Sequence, residues 1–293
     1  MRILLFLATN AAILVVISIV FNLLGLSSIL DQQGVNLNLN ALLVVSAIVG
    51  MTGSVISLAM SKWMAKRSMG VHVIGKPSNS TEQWLLDTVR RLAQQAGIGM
   101  PEVGIFDAPD PNAFATGMKR NDALVAVSTG LLRSMSADEV EAVVGHEMTH
   151  VANGDMVTMA LLQGVINTFV YFFASIIGFV VDRVILKNER GLGIGYYVTQ
   201  IIAQICLSIL ASMIVMWFSR WREFRADAGG SRLAGRDKMI GALHALQRAH
   251  EPQDLPGEFA AFGINGGLGD GLKKLFMSHP PLEERIAALE HRR

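Results

Sequence analysis

The sequence predicts a mostly α-helical membrane protein, with four transmembrane helices in two hairpins and a mixed α+β part outside the bilayer. Composition is the first sign. Hydrophobic residues make up 51% of the 293 and charged residues only 17%, which is apolar and charge-poor for a soluble chain. Charge distribution is the second. Asp31 is the only charge between Arg2 and Lys62, and neither 156–181 nor 191–219 carries any. The polar sequence between and after these runs is the third. It divides the chain into an N-terminal transmembrane hairpin (1–61), a polar part (62–155), a second hairpin (156–219) and a C-terminal polar part (220–293).

Each apolar run is long enough for its role. A hydrocarbon core about 30 Å thick needs about 20 apolar residues per helix. Residues 3–26 and 39–60 supply the first pair, and 156–181 and 191–219 the second. The first run is long for a signal peptide, lacks a clear cleavage site and is soon followed by another span. Gln163 and Asn167 in the third run, and Gln200 and Gln204 in the fourth, are costly toward lipid. They are expected to face other helices or a hydrated cavity. The single cysteine, Cys206, can form neither an internal disulfide nor a thiolate metal site, and is expected as inert packing.

Basic residues orient the first hairpin. Arg2 precedes it, Lys62, Lys66 and Arg67 follow it, and its loop has none, which puts both ends in the cytoplasm. The second hairpin nearly ties on this rule. Connectivity decides: no span lies within 62–155, so the third span leaves from the side where the second arrived.

The polar parts read as mixed structure. Residues 79–96 have helical periodicity, with Gly97 as a stop. Strand-like pieces follow at 102–106, 112–115 and 123–128, separated by Pro, Asp, Asn and Gly. Ser136 and Glu139 form a capping box that starts a helix through 150, with a break expected near Gly154. After the fourth run a new helix is expected to open at W-R-E-F-R-A-D, another at 236–250, and a last one at Pro280 or Pro281. Residues 256–271 are glycine-rich and read as a loop.

The chemistry lies in H-E-M-T-H, residues 146–150. Positions i and i+4 share one helix face, so His146 and His150 can both offer imidazole nitrogens to one zinc ion. Glu147 is rotated by about 100° from His146, beside the water such a metal would activate. Its role is that of a general base, then of a proton donor to the leaving amine.

A catalytic zinc needs a third protein ligand and an open position. Asp155 is close in sequence, but on the same helix it would point away from His150. Glu223 is the stronger candidate. It follows the fourth run as His150 precedes the third, and hairpin ends meet at similar depth. Asp227, one turn on, would face the same way and could hydrogen-bond a ligand histidine.

These motifs together resemble the HtpX family. H-E-M-T-H followed by N-G-D, E-F-R-A-D after an apolar hairpin, N-A-F-A upstream and S-H-P-P-L-E-E-R downstream all carry the likeness, which spans essentially the whole chain. HtpX proteins are membrane zinc metalloproteases related to the CAAX prenyl endoproteases. The resemblance implies a zincin-like (gluzincin) catalytic domain, with one zinc per chain on His146, His150 and Glu223 and Glu147 as catalytic base. It implies an inner-membrane, cytoplasm-facing endopeptidase of heat- and stress-linked quality control, acting on membrane proteins and other polypeptides. Asn112, Ala113, Phe114 and Ala115 then resemble the edge strand that holds an extended substrate. His279 is expected to donate to the oxyanion or to occupy the open metal position, and Arg285 to steady His279 or the oxyanion or to pair with Glu284 or Asp227.

With a net charge of +1, the chain has no global basic field for nucleic acid. A zinc-binding scaffold or transporter subunit is the rival class, and Glu147 argues against it, because structural zinc needs no base beside it. Prenyl-protein processing is a third reading, for which four spans and no visible prenyl pocket give little support. Oligomeric state is not written in the motifs.

Overall fold

A computed structural model describes residues 38–189, 191–250 and 279–291, together with Ile19. Apart from Ile19, the first expected span, 3–26, and the glycine-rich 256–271 lie outside the described residues. Among those described, three helices are long and apolar enough to cross a membrane. They are α1 (Leu39–Ser68), α5 (Asp155–Val180, continued by a π turn at Val181–Ile185) and α6 (Ile194–Ala234).

The chain forms two compact units: Met1–Ser57 with Met159–Val215, and Leu58–Thr158 with Met216–Arg293. In the first unit, glycines let helix backbones meet. A Cβ on Gly50 of α1 would lie 2.5 Å from the Thr168 amide nitrogen of α5, and one on Gly164 would lie 2.6 Å from Met51 Sδ. Three of the four amides find partners inside this unit, as their cost in lipid demands. Gln200 donates to Ser175 at 2.8 Å, and Gln163 to Asn167 at 2.8 Å. Cys206 differs from expectation: it is exposed on the surface of α6 rather than packed.

The second unit is α+β. Its sheet has the order β1 (His72–Val73), β2 (Glu102–Phe106), β4 (Asp122–Ser128), β3 (Ala113–Lys119). β2 and β4 are parallel, and the other two neighbours antiparallel. β3 therefore lies at the sheet edge. Helix α2 (Ser80–Ala96) buries Leu85, Val89 and Leu92 against the sheet's Val103 and Val125, and the short α3 (Thr129–Ser134) follows β4. Helix α4 (Ala137–Asn153) adds Val140, Val144 and Met148 to the same core. Helix α7 (Arg236–His250) adds Met239 and Leu243, and α8 (Leu282–Glu290) adds Ile286 and Leu289.

Three boundaries depart from the sequence expectation. The strand at 112–115 runs on to Lys119, because its later residues find partners on β4. No new helix opens near Trp221: α6 continues unbroken for 41 residues, since 219–223 holds no glycine or proline to stop it. The last helix begins at Leu282, with Pro281 as its cap residue.

Candidate metal centre

Helix α4 is fixed at both ends. Ser136 accepts from the Glu139 amide, and the Glu139 carboxylate accepts from the Ser136 amide in return, satisfying two otherwise orphaned donors. At the other end Gly154 takes a left-handed φ of 71°, and its N–H bonds back to the carbonyls of His150 and Val151. Between these stops the apolar stripe faces the core and turns the two histidines toward α6.

Glu223 of α6 completes a three-sided cluster. Its Oε2 lies 3.4 Å from His146 Nε2 and its Oε1 3.3 Å from His150 Nε2, and the two Nε2 atoms are 3.2 Å apart. All three residues are buried. Each histidine meets a second carboxylate on its other nitrogen. Asp155 Oδ2 is 2.7 Å from His150 Nδ1. Asp227 Oδ1 is 2.9 Å from His146 Nδ1, off the line of a well-aligned hydrogen bond. Arg285 closes the far side by donating twice to Asp227, at 2.8 and 2.6 Å.

The donor set suits a cation. The Asp155 carboxylate assigns the proton of His150 to Nδ1, and Asp227 beside His146 Nδ1 favours the same tautomer there, which leaves the Nε2 lone pairs turned toward Glu223. Two lone pairs and a carboxylate converge, and only positive charge between them is stabilising. The wider balance agrees: Glu147, Asp155, Glu223 and Asp227 bring four carboxylates against the one guanidinium of Arg285. Burial alone would lower the imidazoles. Hydrogen bonding to Asp155 and Glu223 outweighs it and raises His150 to about 9, and the contacts of His146 with Asp227 and Glu223 raise that ring also. Two nitrogens and one carboxylate oxygen are the ligand type and number of a zinc hydrolase with one position open.

The remaining candidates fall around this centre. Glu147 is half-buried on α4 and close enough to raise His150 and Arg285 electrostatically. His279 donates to the Glu223 carboxylate: its Nδ1 is 2.7 Å from Oε2, and its side chain is 62% exposed. Arg285 pairs with Asp227 and stands 4.0 Å from Glu223. Asn112 precedes edge strand β3, on which Ala113, Phe114 and Ala115 lie. Phe114 packs on Phe106, with centroids 5.5 Å apart.

Two features escaped the sequence reading. Asp155 does not point away from His150, because Gly154 breaks the helix and redirects the chain; the N-G-D triplet was the available signal. The second is Gly229–Gly230, just after E-F-R-A-D-A. A Cβ on Gly229 would fall 2.2 Å from Thr149 Cγ2, and one on Gly230 would fall 3.0 Å from the His146 amide nitrogen. The glycine pair lets α6 lie directly on α4, which brings Glu223 and Asp227 within reach of the histidines.

Comparison with known proteins gives the arrangement its context. Residues 79–293 match peptidase family M48. The chain is 69% identical to "Protease HtpX" of Thioalkalivibrio sulfidiphilus over 289 residues, covering 99% of this chain and 98% of that one. It is 62% identical to "Protease HtpX homolog" of Nitrosomonas eutropha, with 99% of both chains covered. Among solved structures, Ste24p of S. mikatae shares the fold at a TM-score of 0.61 and 17% identity, over 94% of this chain and 66% of that one. With three membrane-length helices, the H-E-x-x-H cluster and these relatives, the chain belongs to peptidase family M48, among its HtpX membrane metalloproteases.

Proposed function

We propose that this membrane metalloprotease is a zinc-dependent endopeptidase, with one zinc ion held by His146, His150 and Glu223. The observation that carries the reading is the convergence of two Nε2 lone pairs on Glu223, each ring being held from behind by a carboxylate. Zinc bound there would supply Lewis acidity, lowering the pKa of its water toward about 7 and polarising a scissile carbonyl. The chain's own groups do the rest. Glu147 removes the proton from the attacking water and returns it to the departing amine. In its doubly protonated form His279 holds Glu223 through Nδ1 and donates through Nε2 to the developing oxyanion. Arg285 acts through Asp227, keeping that carboxylate on His146. Edge strand β3 offers backbone donors and acceptors to an extended peptide, which favours little sequence preference.

The substrates are misfolded or damaged membrane proteins in stress-linked quality control, a role supported by the kinship with HtpX proteases. The inner membrane is its place, with the catalytic unit facing the cytoplasm. Support comes from Lys62, Lys66 and Arg67 after α1 and from the connectivity that returns α5 from the same side. Purified Glu147→Gln protein tests the mechanism. It is expected to hold one zinc per chain and to cleave neither casein nor a membrane-protein substrate. Wild-type turnover by this variant overturns the assignment, and so does undiminished zinc content in Glu223→Ala.

A further inference from the structure

Between the β3–β4 turn and the head of α5 lies a shallow cleft open to the surface. Met118, Lys119 and Arg120 form one wall, and Gly154, Met156 and Val157 stand on the other. One wall is basic and the other apolar. We propose that this cleft takes the headgroup and upper chain of an anionic phospholipid.

The depth of the cleft supports this. Lys62 and Asp155 are the charges that bound the apolar stretches of α1 and α5, so hydrocarbon begins beyond them. The hairpin is held at that boundary on both flanks. Lys62 pairs with Asp122 at the foot of β4, and also with Glu102 at 3.0 Å. On the other side Met156 and Val157, the first apolar residues of α5, line the cleft itself. Residues 118–120 thus sit where headgroups are.

The chemistry matches an anion with a greasy tail. Lys119 and Arg120 are exposed, and neither forms a salt bridge among the described residues. The acids nearby are engaged: Asp122 by Lys62 and Asp155 by His150. Lys119 and Arg120 are therefore the charges that the lining of the cleft itself presents. Met118 is 44% exposed beside these cations, so the tip presents an apolar side chain together with its charges. That combination suits a membrane interface better than bulk water. A lipid seated there would hold the end of edge strand β3 that leads directly to Ala115 and Ala113.

Titration of the full-length protein in neutral detergent with short-chain phosphatidylglycerol tests the proposal, with phosphatidylcholine of equal chain length as control. Phosphatidylglycerol is expected to bind the wild type in preference to phosphatidylcholine. The Lys119→Gln/Arg120→Gln double variant is expected to bind it about 10- to 30-fold more weakly, and each single variant to fall between. Arg67→Gln, which removes an exposed charge outside the cleft, is expected to stay close to wild type. Equal binding by the double variant overturns the proposal. An equal loss in Arg67→Gln does so too, since it marks general attraction, and so does full competition by soluble glycerol 1-phosphate, which needs no membrane. All variants change exposed side chains, and an unchanged melting temperature checks that the fold is intact.

Discussion

Asp155 and Asp227 hold the outer nitrogens of His150 and His146, and each does so from a different helix. Such partners fix the tautomer and raise ligand basicity, and their loss commonly costs 10- to 100-fold in metal affinity. Asp155→Ala is therefore expected to weaken zinc binding by about 10- to 100-fold in a chelator competition, with Asp155→Asn in between, because its amide oxygen still accepts from Nδ1. An unchanged affinity in Asp155→Ala would detach this residue from the centre. The raised imidazole of His150 gives a second prediction, with a definite sign. In metal-free protein its contribution is complete below about pH 6.5 and is lost as pH rises through about 9. Metal-free protein should therefore melt at lower temperature near pH 9.5 than near pH 6.5. Zinc affinity should climb over the same window, because protons and metal compete for the same nitrogens. A flat melting profile would remove the coupling.

At the level of elements, the close approach of α4 and α6 carries the site. Gly229→Ala would place a methyl group inside Thr149, and overpacking of this kind costs about 1–3 kcal/mol. Zinc content and melting temperature should both fall, and Thr149→Ala in the same chain should restore part of each. A double variant no better than the single would refute the packing account. The same pair of helices marks what can be read from the primary structure. Helix α4 was legible because its period, capping box and glycine stop all agree. Glu223 was legible because a hairpin must return its end to the same depth. The continuity of α6 was not: the arginines after Ser219 mark a membrane exit, yet backbone hydrogen bonding is indifferent to that change of solvent. Asp155 was missed because a single left-handed glycine changes the direction of everything after it. The extension of β3 was missed because strand length is set by its partner β4, not by the strand's own residues.

For the molecule as a whole, the proposed metal ligands come from either side of a membrane hairpin in sequence but from one unit in space. A metal there ties Leu58–Thr158 to Met216–Arg293. Removing it with a chelator should lower the melting temperature of that unit by about 5–10 °C if zinc is near 100 times its dissociation constant, while helix content from the membrane helices persists. An unchanged melting temperature would show that the two segments hold together without the ion. The order of the chain adds a consequence in time. During synthesis His146 and His150 leave the ribosome first, then two long apolar stretches, and only then Glu223. The three-ligand set cannot close on a nascent chain whose second hairpin is still unmade. With the proposed ligands, the site is complete only after the segment that commits the chain to the bilayer has been translated.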